Sequence, residues 1–256
     1  MPFFANDGLN LAYEVHGSGL PVVMLHGAAV NFAGNFGACG WIDPLTSRGL
    51  QVIGLDLRGH GGSDKPADPA LHGTDALARD VIALLDHLGI EQASIVGYSI
   101  GTTVALHLLH THAGRFRAGA LVATGEGIIG LGPYSFPERN PPLAEILRRT
   151  EFPDDVPPHV SFYWTFAEQV AGDRAAVAAF LSGDFPPCSI EDVATIDVPV
   201  LVVSGDQDVV LGTGRRVTET LPRGNYLEVA GADHFTLAVN EDVQRAVADF
   251  VVGASR

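Results

Sequence analysis

Continuous apolar segments alternate with segments of helical periodicity along most of the chain. The clearest helix candidate, residues 75–88, carries apolar side chains at positions 77, 81, 84, 85 and 88, which share one helix face. Strands buried on both faces of a parallel sheet have continuous rather than alternating apolar residues. The alternation therefore predicts the α/β class with a mostly parallel, doubly wound sheet. The strand candidates are residues 22–25, 51–55, 93–96, 119–122, 200–203 and 226–229.

Two further strands are predicted before the first parallel one. Residues 3–4 and 9–16 flank Asn6-Asp7-Gly8, which is a typical hairpin turn sequence. We expect these residues to form a short antiparallel meander at one edge of the sheet. In chain order the segment 119–122 is then the sixth strand.

The alternation stops between residues 125 and 190, and seven prolines cluster between positions 133 and 158. Residues 143–149 and 167–181 have helical character, so this segment is predicted to be a small, mainly helical cap inserted after the sixth strand. The core would comprise residues 1–124 and 191–256, and the cap residues 125–190. The cap would place an aromatic surface over the strand ends, formed by Tyr134, Phe136, Phe152, Phe162, Tyr163, Trp164 and Phe166.

Composition excludes several classes of protein. A chain of 256 residues with 46% hydrophobic and 18% charged residues fits one globular core with a modest insertion. Its net charge of −15, with Lys65 as the single lysine, disfavours nucleic acid and anionic membranes as partners. No apolar stretch is long enough to span a membrane, and the N-terminus lacks the pattern of a secretory signal, so we expect a cytoplasmic protein. Cys39 and Cys188 are expected to be free thiols.

A serine stands between the strand candidate 93–96 and an apolar, helix-like segment. The sequence there is Gly97-Tyr98-Ser99-Ile100-Gly101. A serine at a sharp strand-to-helix turn is held in strained backbone angles, and glycines two positions away on either side let the neighbouring elements approach. The pentapeptide therefore predicts a nucleophile elbow at Ser99.

The groups needed to activate a serine follow later in the chain. Asp206 and Asp208 come directly after the strand candidate 200–203, and His234 follows the strand candidate 226–229. A serine hydroxyl needs a base within hydrogen-bond reach and an acid to orient that base. The order Ser, Asp, His, each beyond the carboxyl end of a strand, resembles the α/β-hydrolase fold family over most of the chain outside the cap.

The resemblance implies a role for each of these residues. Ser99 would be the nucleophile, His234 the general base and Asp208, at the end of a G-x-x-D loop, the acid that orients His234. Asp206 is a competing acid that would otherwise brace its loop. Glu126 is a second alternative, because some family members take the acid from the loop after the preceding strand.

The resemblance also implies two backbone donors for an oxyanion. The amide of Ile100 follows the nucleophile, and the amide of Ala28 lies in a segment, residues 24–29, that resembles the family's H-G-x sequence. Gly27 would allow the tight turn and His26 would brace that loop. In the later glycine-rich loop we expect Asp56 to accept hydrogen bonds from loop amides.

Neither a metal nor a cofactor is predicted. His107, His110 and His112 crowd one helix end, but their spacings of three and two do not align ligands on one helix face. The glycines around Ser99 do not form a dinucleotide-binding fingerprint, and no phosphate-loop lysine is present.

The function expected from the resemblance is hydrolysis of carboxylic esters with small to medium acyl groups, on a small-molecule ester or lactone. Phe32, Phe36, Tyr98 and Trp164 are the candidates for contacting the substrate. Lactonase, carbon–carbon bond hydrolase and cofactor-free perhydrolase activities use the same triad and stay open as alternatives. The sequence does not distinguish a monomer from a homodimer. A receptor that binds small molecules with little turnover is the alternative from another class.

Overall fold

The computed structural model describes residues 1–131, 136–152 and 156–254, with the backbone alone at residues 136–138 and 159. Its strands form one eight-stranded sheet in the order β1-β2-β4-β3-β5-β6-β7-β8. β1 pairs antiparallel with β2, and β2 with β4, while the other neighbours are parallel. The mostly parallel sheet and the antiparallel edge hairpin are confirmed. The strands are Phe3–Asn6 (β1), Leu9–His16 (β2), Leu20–Leu25 (β3), Leu50–Leu55 (β4), Ala93–Tyr98 (β5), Phe116–Val122 (β6), Val200–Gly205 (β7) and Gly224–Val229 (β8).

Helices cover both faces of the sheet, as expected for a doubly wound fold. Strand β3 shows why: Val23 and Leu25 pack into one buried cluster, and Val22 and Met24 into the other. None of the described helices is long and apolar enough to cross a membrane. The helices are Ile42–Thr46 (α1), Thr74–His87 (α2), Ile100–Thr111 (α3), Phe136–Leu147 (α4), Pro158–Gln169 (α5), Arg174–Leu181 (α6), Ile190–Val193 (α7), Arg215–Thr220 (α8) and Glu241–Ala254 (α9).

A buried ion pair ties α2 to the loop that follows β4. Arg58 donates from Nε and Nη2 to the two carboxylate oxygens of Asp80, at 2.7 and 2.6 Å, and from Nη1 to the carbonyl of Leu71. Asn6 donates to the same carboxylate at 2.8 Å. Both charged side chains are about 1% exposed. Burial raises the pKa of Asp80, and the hydrogen bonds from Arg58 oppose that rise.

Helices α4, α5 and α6 follow β6 and form the cap. The segment 167–181, expected to be one helix, is divided between α5 and α6. Gly172 has a φ of +88° between them, and Asp173 accepts a hydrogen bond from the amide of Ala176 to begin α6. Helix α4 lies earlier than the expected 143–149. Pro133, Tyr134, Pro153 and the side chains of Phe136 and Pro137 lie outside the described residues, and the limits 125–190 stay a prediction.

Candidate active site

Ser99 lies at a strained turn between β5 and α3. Its φ is 53° and its ψ −120°, a conformation that side-chain-bearing residues rarely adopt. A Cβ on Gly97 would lie 2.5 Å from the carbonyl oxygen of Gly101, and a Cβ on Gly101 would lie 2.3 Å from that of Leu25. Only glycine fits at both positions, which explains the spacing of the pentapeptide.

The turn brings Ser99 to His234, which comes after β8. The hydroxyl of Ser99 lies 2.8 Å from His234 Nε2, and His234 Nδ1 lies 2.8 Å from Asp208 Oδ2. A carboxylate only accepts hydrogen bonds, so Nδ1 donates to Asp208 and Nε2 is left to accept the hydroxyl proton of Ser99. This arrangement of hydroxyl, imidazole and carboxylate can activate a serine oxygen for attack.

Asp208 is held as a carboxylate despite its burial. Burial acts to raise its pKa, but the hydrogen bond and charge of His234 and the amides of Leu211 and Val210 outweigh that effect and lower the pKa. Those two amides donate to Oδ1 at 3.0 and 2.8 Å, which leaves Oδ2 for His234. The carboxylate is thus fixed in direction as well as in charge.

The other two candidate acids lie elsewhere. Asp206 is exposed and accepts a hydrogen bond from the amide of Gly231 at 2.7 Å. It therefore braces its loop, which is the alternative role expected for it. Glu126 begins a short 3₁₀ turn after β6. Among the described residues, Asp208 is the acid whose side chain hydrogen-bonds to His234.

Tyr98 holds the backbone of His234 through a hydrogen bond. Its hydroxyl donates to the backbone carbonyl of His234 at 2.6 Å, and burial raises its pKa well above the ordinary tyrosine value, so it stays a donor. No local sequence pattern predicts this contact, because the two residues are 136 positions apart.

The loop after β3 is braced by two buried histidines. His26 donates from Nδ1 to the carbonyl of Gly27 at 2.7 Å and accepts at Nε2 from the amide of Leu57 at 3.0 Å, which confirms the bracing expected of it. His60 Nε2 accepts from the amide of Ala29. Burial lowers the pKa of both histidines. The positive φ of this loop falls at Ala29, at 64°, and not at Gly27.

Asp56 satisfies loop amides, as expected. Its two carboxylate oxygens accept from the amides of Phe32 and Gly62 at 2.9 and 2.8 Å. The two proposed oxyanion donors lie at this loop and at the elbow: Ala28 lines the same cavity as Ser99, and Ile100 is the first residue of α3. The first amides of a helix have no intrahelical acceptor, so the amide of Ile100 is suited to an anion.

The cavity at Ser99 has a volume of about 210 Å³. None of its described lining side chains belongs to Lys, Arg, Asp or Glu, and most are apolar or aromatic. It therefore suits an uncharged group. The lining comprises Gly27, Ala28, Val30, Gly34, Asn35, Cys39, Tyr98, Ser99, Phe162, Tyr163, Phe166, His234, Phe235, Ala238 and Val239.

Of the four substrate-contact candidates, Tyr98 lines this cavity and the other three are not among its described lining residues. Phe32 and Phe36 are 2% and 0% exposed and pack in the core. Phe32 fills the space beside Gly54, where a Cβ would meet its ring at 2.2 Å. Trp164 packs edge-on against Phe152 and beneath the guanidinium of Arg174.

A second depression, of about 360 Å³, adjoins the first. Phe162, His234 and Phe235 line both spaces. The Phe162 ring lies 4.0 Å from that of Phe235 and stacks on that of Phe166 at 3.9 Å, measured between centroids. Phe162, from the cap, and Phe235, from the core, thus form a shared wall.

The three clustered histidines each have a different neighbour. His107 lies 3.2 Å from Asp75, His110 lies 2.9 Å from Thr195, and His112 contacts Thr111. Within the described parts of the chain, no group of three or more His, Cys, Asp or Glu side chains is arranged to hold a metal ion.

Both cysteines are free thiols, as expected. Burial raises the pKa of each, and for Cys188 to about 12. Cys39 is half-buried and lines the Ser99 cavity.

Comparison with known proteins places the chain in a family. A non-heme chloroperoxidase from Streptomyces lividans is 30% identical over 93% of this chain and 94% of its own length. A thermophilic esterase from Thermogutta terrifontis has the same fold, with a TM-score of 0.77 and 23% identity over 99% of this chain and 97% of its own. Est816, described as an N-acyl homoserine lactone degrading enzyme, superposes with a TM-score of 0.73 and 23% identity over 97% of this chain and 99% of its own. The family model for the alpha/beta hydrolase fold matches residues 21–185. The chain belongs to the alpha/beta hydrolase fold family.

Proposed function

We propose that this protein is a serine hydrolase that cleaves carboxylic esters of small to medium, uncharged acyl groups. Ser99 Oγ attacks the ester carbonyl carbon while His234 Nε2 takes the hydroxyl proton. The amides of Ala28 and Ile100 stabilise the negative oxygen of the tetrahedral intermediate. The alcohol leaves with the proton from His234. Water, deprotonated by His234, then attacks the acyl-enzyme, and the acid is released as Ser99 regains its proton.

The observation that carries this proposal is the hydrogen-bonded chain from Ser99 through His234 to Asp208, which opens on an apolar cavity. The cavity, at about 210 Å³, is below the range of roughly 300 to 1,000 Å³ that is common for drug-sized ligands. Its described lining has no cationic side chain to hold an anionic substrate. Size and charge thus both favour short, neutral acyl groups.

Initial rates on p-nitrophenyl esters of increasing acyl length test this proposal. We expect the highest kcat/KM for short acyl chains, between acetate and hexanoate. For decanoate it should fall by about tenfold or more, because chains longer than the cavity must displace packed side chains. A single slow turnover, together with a large rise in Tm on ligand addition, would instead favour a small-molecule receptor.

A perhydrolase is the second candidate, supported by the identity with a protein named a non-heme chloroperoxidase. In this reaction hydrogen peroxide replaces water: its oxygen bonds to the acyl carbon, the bond to Ser99 Oγ breaks, and a peroxy acid leaves. Adding hydrogen peroxide to the ester assay and measuring peroxy acid against carboxylic acid separates the two activities.

Replacing Phe162 by alanine should shift the preferred acyl length upward. Loss of the ring opens the wall between the two cavities, and each methylene newly buried contributes roughly 0.8 kcal/mol, about a fourfold gain. We expect kcat/KM for octanoate relative to butanoate to rise by about tenfold. Phe152→Ala is the matched control, because Phe152 is a cap aromatic that is 41% exposed and is not a described lining residue of either cavity. An unchanged ratio in Phe162→Ala would show that Phe162 does not limit acyl length.

A further inference from the structure

Asn35 carries a buried amide at the cavity that contains Ser99. The residue is 5% exposed, lies in the π-helical turn Ala33–Gly37 and lines the cavity. Its Oδ1 accepts a hydrogen bond from the amide of Gly27 at 2.9 Å. An amide accepts only through its oxygen, so this bond fixes which end faces Gly27 and directs Nδ2 elsewhere.

Asn35 Nδ2 has no hydrogen-bond acceptor among the described residues. Two other polar groups of the lining are already used: the Tyr98 hydroxyl donates to the carbonyl of His234, and the Cys39 thiol to that of Gly34. The Tyr163 hydroxyl also lacks a described partner, but a hydroxyl rotates and either donates or accepts. The amide nitrogen only donates, and its direction is fixed, so Asn35 Nδ2 can meet a ligand only as a hydrogen-bond donor.

This donor lies close to the reacting serine. Ser99 Cβ and Asn35 Oδ1 are 3.4 and 3.7 Å from the point where a side chain on Gly27 would begin. The first few atoms of an acyl group bonded to Ser99 would therefore lie near the Asn35 amide. An acyl chain without a hydrogen-bond acceptor would leave this donor unpaired.

We infer that Asn35 Nδ2 donates a hydrogen bond to an oxygen on the acyl part of the substrate, near the scissile carbonyl. The preferred substrates are then esters or lactones whose acyl chain carries an ether, hydroxyl or carbonyl oxygen. This inference rests on the proposed function, because it takes the acyl group to be bonded to Ser99. A buried donor that a purely apolar analogue leaves unpaired discriminates strongly between two substrates of equal size.

The test compares two p-nitrophenyl esters of nearly equal size, methoxyacetate and butanoate, which differ by an ether oxygen in place of a methylene. The readout is the ratio of their kcat/KM values in each protein, so the intrinsic reactivities of the two esters cancel between proteins. In Asn35→Leu we expect this ratio to fall by about tenfold or more relative to the unaltered protein. Asn35→Ala is the second variant, should the leucine not be accommodated.

Asn31→Ala is the matched control on the same loop. Both ends of the Asn31 amide are occupied, by the carbonyl of Val170 and the amide of Gly34, so its loss should change both rates alike and leave the ratio within about twofold. An unchanged ratio in folded Asn35→Leu and Asn35→Ala overturns the inference. Tyr163→Phe is measured as well, and a fall in the ratio in that variant alone also overturns the inference. Absence of Ser99-dependent turnover on either ester overturns the proposed function instead.

Discussion

Replacing Ser99 by alanine should lower kcat/KM on a short p-nitrophenyl ester by a factor on the order of 10⁵ or more. The variant loses the only atom that forms the acyl-enzyme in the proposed mechanism, while the cavity and the backbone donors persist. Alanine meets the same backbone strain at φ 53° as serine does, so Tm should change little. Stopped-assay kinetics on freshly purified variant, with thermal unfolding in parallel, provide the measurement.

Two further variants make the Ser99 result specific. His234→Ala should lose about as much activity as Ser99→Ala, and the double variant little more than either, because the residues of a triad act as a unit. Ser47→Ala, which removes an exposed hydroxyl bonded to the carbonyl of Pro44, should retain full turnover. Turnover retained by pure Ser99→Ala protein would contradict the assignment of Ser99 as nucleophile.

Replacing Asp80 by alanine should lower the free energy of unfolding by about 3–5 kcal/mol. The loss is large because Arg58, about 1% exposed, would keep its charge in the interior with only Asp7, 3.6 Å away and 40% exposed, left as a counter-ion. Urea denaturation, followed by circular dichroism, measures the change as a lower midpoint at constant slope. Removing one charge from the protein surface would not lower the free energy of unfolding by this amount.

The double variant Arg58→Met/Asp80→Leu separates loss of the pair from loss of one partner. Replacing both charges with apolar groups removes the unpaired charge, so much of the lost stability should return. Arg216→Ala, at a half-exposed pair with Glu219, should change the unfolding free energy by about 0.5 kcal/mol or less. Equal losses in Asp80→Ala and Arg216→Ala would mean that the buried pair is not a major source of stability.

Local patterns in the sequence were enough to predict the sheet, the edge hairpin and the strand-turn-helix around Ser99. Each depends on residues that are close in the chain: continuous apolar runs, Asp7-Gly8 in the turn, and glycines two positions from Ser99. The order Ser, Asp, His was equally readable. The family resemblance indicated Asp208 as the acid, but local pattern alone does not separate it from Asp206, because the two differ by two positions and the folded loop directs their side chains.

Contacts between distant parts of the chain account for what the sequence did not predict. Phe32 and Phe36 follow the oxyanion loop and were expected in the pocket, but the missing side chain at Gly54 gives Phe32 a place in the core. The hydroxyl of Tyr98 acquires its role from His234, at a separation of 136 residues that no local pattern reports. The break between α5 and α6 depended on one glycine within an otherwise helical segment.

The cap enters the chain between two strands that are direct neighbours. Strand β6 ends at Val122 and β7 begins at Val200, and residues 119–122 pair in parallel with residues 200–203. Any crossover that returns to the same edge preserves this pairing, so the connection can lengthen, shorten or be exchanged without moving Ser99, Asp208 or His234. Phe162, Tyr163 and Phe166 reach the cavity from this connection. Transplanting the crossover between relatives therefore offers a route to new acyl selectivity on an unchanged reaction centre, in the laboratory or through evolution.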